Sequence, residues 1–125
     1  MTFHHTPTNL PLENEYPKLV RDKIPEIIKQ NENIEVAIRL LNDDEFLQYL
    51  LRKVVEEAQE LSHAESDANL KEEIADVREI IDTLIKLKDF SESELMTLQS
   101  EKRKKRGGFD KRLLMLGKDP VDKVS

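Results

Sequence analysis

Two consecutive stretches of the chain keep their apolar residues on one side of a helix, with only a short gap between them. From Asp43 to Ala64 the apolar set is Leu47, Leu50, Leu51, Val54, Ala58 and Leu61. From Leu70 to Leu87 it is Leu70, Ile74, Val77, Ile81 and Leu84. Spacings of three and four residues place each set on a single stripe. Asn42 with Glu45 is a capping pattern that opens the first helix. The Glu65 to Asn69 gap is polar and turn-length, so the pattern predicts two long helices folded back antiparallel on one another.

The rest of the chain is consistent with this. It has 125 residues, enough for one domain. Aromatic residues make up only 5%, with 3 Gly, 5 Pro and no Trp, which argues for a mostly helical protein rather than a sandwich or barrel. Charged residues make up 37%, so a single core is thin, and helices completing their burial in a homo-oligomer are expected. Residues 1–15, with His4 and His5, read as a flexible arm. Residues 16–116 read as the helical domain and 117–125 as a tail. A short helix is expected within Tyr16 to Asn33, capped by Asp22 with Pro25 in its first turn. Ile34 to Leu41 reads as a strand or an extended linker. Ser91 with Glu94 opens a further helix to about Lys105, ended by Gly107 and Gly108. Phe109, Leu113, Leu114 and Leu116 are expected to fold back as a final apolar segment.

Absent residue types and charge narrow the class. There is no cysteine, so disulfides and thiolate metal sites are excluded. No apolar run approaches a membrane span and the first residues carry no signal-like apolar region, so a cytoplasmic protein without membrane contact is expected. A net charge of −6 argues against a nucleic-acid polymer as partner. Even so, 7 of the 20 Lys and Arg lie between Lys102 and Arg112. That cluster reads either as a phosphate-facing patch or as a solvated helix end that complements its dipole.

The two long helices also carry acidic clusters, Glu56, Glu57 and Glu60 on the first and Glu72, Glu73 and Asp76 on the second. On a wheel of about 100° per residue with Val54 at zero, Glu57 falls near −60° and Glu60 near −120°, at the apolar margin and just off it. With Val77 at zero, Glu73 falls near −40° and Asp76 near −100°. Glu56, Glu72 and Glu79 point away from the stripe and read as surface charges. A buried carboxylate without a partner costs several kcal/mol. Four such groups converging between two helices ask for a hard divalent cation, which prefers oxygen ligands. The plainer alternative is buried ion pairs to lysines such as Lys53.

The residues E-E-A-Q-E (Glu56 to Glu60) and E-E-I-A-D (Glu72 to Asp76) resemble the paired acidic signature of the all-α nucleotide pyrophosphohydrolases, the MazG-like superfamily. K-L-V-R-D-K-I-P-E-I-I (Lys18 to Ile28) and K-R-K-K-R-G-G-F (Lys102 to Phe109) resemble its phosphoribosyl-ATP pyrophosphohydrolase-like branch. The resemblance spans roughly Tyr16 to Leu116. It implies an all-α antiparallel helix bundle, completed as a homodimer or homotetramer. It also implies Mg²⁺, or Mn²⁺ in its place, held by Glu57, Glu60, Glu73 and Asp76. The implied reaction cleaves a nucleoside triphosphate between the α and β phosphates, as a house-cleaning enzyme acting on non-standard nucleotides. One of the four acids, or an outer one such as Glu56, would orient or deprotonate the attacking water. Arg21, Lys23, Lys53, Lys102 and Arg106 are the candidate phosphate-binding cations. Two other classes compete: a non-enzymatic helical interaction module, and a carboxylate dimetal protein built on Glu60 and His63 as an E-x-x-H half-motif.

Overall fold

The computed structural model describes residues 16–119. All regular structure among them is helical: α1 (Ile24–Glu32), α2 (Asp43–Ser62), α3 (Asp67–Lys88) and α4 (Glu92–Arg106). The chain divides into two compact units, Met1–Asp89 and Phe90–Ser125. The proposed arm, residues 1–15, lies outside the described residues, as do residues 120–125 of the proposed tail.

The first unit is organised by the α2–α3 hairpin, whose helices pack on each other across the short connection after Ser62. Each helix start has a chemical cause. Asn42 accepts from the Glu45 backbone N–H while the Glu45 side chain accepts from the Asn42 N–H, a complete capping box. Loss of such a cap costs about 0.5–2 kcal/mol, so Asn42→Ala should lower the urea midpoint of the full chain by that margin, with Asn42→Asp close to neutral. Helix α3 starts at Asp67, ahead of the Leu70 that opens its apolar pattern, because Ser66 Oγ accepts from the Asn69 N–H. Helices α1 and α3 end in left-handed residues, Asn33 and Asp89, both at φ 54°. Asparagine and aspartate tolerate that region better than most side chains.

Two expectations need correction here, and one open alternative, strand or linker, is decided. Asp22 does not cap α1; the N-cap is Lys23, with no side-chain bond. A turn closed by Ile24 N–H to Arg21 C=O takes Asp22 into itself, one residue too early to reach the helix donors. Ile34 to Leu41 contains no strand and is an irregular linker. The C-terminal apolar residues do not fold back within the second unit: Phe109 is 96% exposed and Leu113 85%. After Gly107, at φ 81°, the chain makes only a turn closed by Arg112 N–H to Phe109 C=O, and one turn presents no periodic apolar face.

The core of the first unit is small. Among the described residues the only buried apolar side chains are Leu50 (2% exposed) and Ile80 (8%). On the wheel these lie near −40° on α2 and −60° on α3. The contact seam therefore runs on that side of both helices, leaving Leu70, Ile74 and Ile81 about two-fifths exposed. No helix among the described residues is long and apolar enough to cross a membrane.

Candidate metal centre

The shifted seam puts acids at its centre. Glu57, near −60°, and Glu73, near −40°, occupy the angular positions of the buried Leu50 and Ile80. Glu57 is buried and Glu73 half-buried. One turn further along each helix, Glu60 and Asp76 are half-buried as well. Each of the four offers a carboxylate oxygen, and these oxygens all lie within 4.8 Å of one another. The packing of α2 on α3 brings the two pairs, Glu57 with Glu60 and Glu73 with Asp76, to one place.

Protein partners meet only part of this group. Lys53 Nζ lies 3.7 Å from Glu57 Oε1, and Glu57 Oε2 is buried with no hydrogen-bond partner among the described residues. Asn69 Nδ2 donates a long bond of 3.5 Å to Glu73 Oε1, and Glu73 Oε2 is likewise buried without a partner among the described residues. Arg21 Nη2 donates to Asp76 Oδ1 at 2.7 Å, tying the segment before α1 to the hairpin. The environment holds the Glu57 carboxyl above the usual carboxylate range. Burial is the main cause; Lys53 opposes it, and the charges of Asp76, Glu56 and Glu73 add to it.

Two orphaned buried oxygens within a cluster of four carboxylates fit a small hard cation. Ligand atoms around an octahedral Mg²⁺ stand about 3–4 Å apart, as follows from bonds of about 2.1 Å. A separation of at most 4.8 Å reaches that with a small inward movement of the side chains.

Glu56 departs from its expected surface role. It is 5% exposed, and its Oε1 accepts from Lys53 Nζ at 2.8 Å. A wheel ranks residues by their distance from one seam and says nothing of chain that covers another flank. The Lys53 spacing of three residues was the available signal. The ion-pair alternative is therefore realised for Glu56 and in part for Glu57, yet it leaves the two free oxygens unmet. Glu72 and Glu79 are exposed, as expected.

Of the candidate phosphate-binding cations, Arg21 and Lys53 are brought to the cluster, both already engaged with its acids. Lys23 is exposed at the start of α1 and makes no ion pair among the described residues. Lys102 and Arg106 are exposed on α4, in the second unit. His63 is the C-cap of α2, is exposed, and its Nδ1 lies 2.7 Å from the Gln59 carbonyl oxygen; it is not one of the four clustered residues. No family model, curated protein or solved structure matches the chain.

Proposed function

We propose that Glu57, Glu60, Glu73 and Asp76 bind Mg²⁺, with Mn²⁺ as a substitute, and that the chain is a nucleotide pyrophosphohydrolase of the MazG-like kind. The observation that carries the metal reading is the pair of buried, unpartnered oxygens, Glu57 Oε2 and Glu73 Oε2, inside the four-carboxylate group. The nucleotide reading rests on the sequence resemblance in the two acidic motifs and the two basic ones. It carries with it the helix bundle, the homodimer or homotetramer and the house-cleaning role.

When bound, the ion would neutralise charge on phosphate oxygens and lower the pKa of a coordinated water. The residues have separable tasks. Glu57 and Glu73 hold their oxygens at the centre of the seam, where water is largely excluded. Arg21 fixes the orientation of Asp76 through Oδ1. Lys53 anchors Glu56 and steadies Glu57 from one turn earlier. In hydrolysis a water oxygen bonds to the α phosphorus and the bond to the bridging oxygen breaks. Pyrophosphate leaves, and the water's proton passes to a carboxylate such as Glu56 or one of the four. Lys23, Lys102 and Arg106 remain the exposed candidates for contact with phosphate.

The test is pyrophosphate release from a panel of standard and modified nucleoside triphosphates with Mg²⁺ or Mn²⁺. Turnover of at least one member is expected, falling by on the order of 10²–10³-fold in Asp76→Asn with helicity retained. A panel without turnover, together with a metal-dependent thermal shift, would keep the metal site and reject the hydrolase. Absence of both would leave a helical interaction module.

A further inference from the structure

Arg21 reaches the carboxylate cluster from outside the hairpin, and its bond goes to one of the four proposed ligands. Its Nη2 donates to Asp76 Oδ1 at 2.7 Å. We infer that Arg21 stands in for the divalent ion in the metal-free chain, and that ion binding releases it together with the segment it holds, residues 16–33. The inference rests on the metal reading of the cluster and on no part of the nucleotide reading.

Charge supplies the reason. Five carboxylates, the four of the cluster and that of Glu56, face two cations, Lys53 and Arg21. Lys53 is held on the hairpin itself, beside Glu56 and Glu57, with its side chain 18% exposed. The Arg21 side chain is 59% exposed and that of Asp76 39%, so this pair opens to water at little cost. A divalent ion brings two charges where Arg21 brings one. Bonded at about 2.1 Å to either Asp76 oxygen, it would stand within about 7 Å of the Arg21 guanidinium. That lies inside the roughly 8–10 Å over which salt screens charge, so the two cations repel. A half-exposed ion pair is too weak to withstand that repulsion. Arg21 thus presets Asp76 before the ion arrives and gives it up afterwards.

The release passes to the chain around Arg21. Packing holds this segment lightly: α1 buries none of its residues, and Tyr16, Val20 and Ile27 are exposed. The Ile24 N–H donates to the Arg21 carbonyl oxygen at 3.0 Å, which joins Arg21 to the start of α1. Losing the anchor at Asp76 therefore loosens the helix start as well as the side chain.

Calorimetric titration of the full chain with Mg²⁺ and with Mn²⁺ at low salt compares the wild type with Arg21→Gln. The variant should bind the ion about two- to fivefold more tightly, because binding no longer has to break a half-exposed pair. Amide hydrogen exchange gives a second measure on the unaltered chain. Mg²⁺ should speed exchange in residues 18–33 of the wild type, and in Arg21→Gln these amides should exchange fast with or without the ion. A variant that binds the ion no more tightly than the wild type overturns the inference and makes Arg21 a lasting support for Asp76. Exchange in residues 18–33 that slows or stays unchanged on adding Mg²⁺ to the wild type also overturns it. A folded wild type that binds neither ion rejects the metal reading itself, and this inference with it.

Discussion

Glu57→Gln should make the metal-free chain more stable at neutral pH and at the same time abolish its stabilisation by Mg²⁺. The two effects have one cause. Burial and neighbouring acids raise the Glu57 pKa in the folded chain. The unfolded chain releases that proton in the ordinary carboxylate range, whereas the folded chain keeps it to higher pH. Between the two values the folded state binds more protons, so metal-free stability falls as pH rises through this window. The contribution is fully favourable below the unfolded value and is lost above the folded one. Glutamine fills the same volume without the charge and removes this slope. Mg²⁺ acts oppositely on the wild type, stabilising it by about 2.7 kcal/mol at a hundredfold excess over its Kd. For a domain near 100 residues that is roughly 10 °C or more in Tm. Thermal melts with and without Mg²⁺ at several pH values check both statements. A glutamine variant that loses stability and still responds to Mg²⁺ would take Glu57 out of any metal site.

Lys53→Met should strongly destabilise the hairpin. The Lys53 side chain is 18% exposed and that of Glu56 is 6%. Removing one partner of a buried pair leaves the other charge uncompensated, a loss of about 3–5 kcal/mol. Methionine keeps most of the stem's packing, so the loss reports charge rather than volume. Glu56→Gln in the same chain should recover a large part of it, because the stranded charge is then gone. Urea denaturation of the single and double variants measures the coupling. A single-variant loss below about 1 kcal/mol would place the pair with exposed surface bridges.

The helices were legible because their signals are local. The Asn42–Glu45 box, the serine cap at Ser91 and the breaks at Asn33 and Gly107 each act within one turn of chain. Periodicity also paired the acids that come together, since residues three apart on a helix must share a flank. It misplaced the seam by roughly 50°. Averaging over apolar residues centres the stripe on Val54 and Val77, but the helices meet nearer Leu50 and Ile80. That shift moves Glu57 and Glu73 from the margin of the contact to its middle.

By itself the sequence determined an all-helical chain, a hairpin of α2 and α3, and four acids capable of converging, because capping and 3.6-residue periodicity are short-range constraints. Only the tertiary structure decided which flanks of the two helices touch. From that came the burial of Glu56 against Lys53, the bond from Arg21 to Asp76 across 55 residues, and the two free oxygens at the seam. Those features depend on how side chains from separate segments fill a shared volume, and no spacing within one helix encodes that.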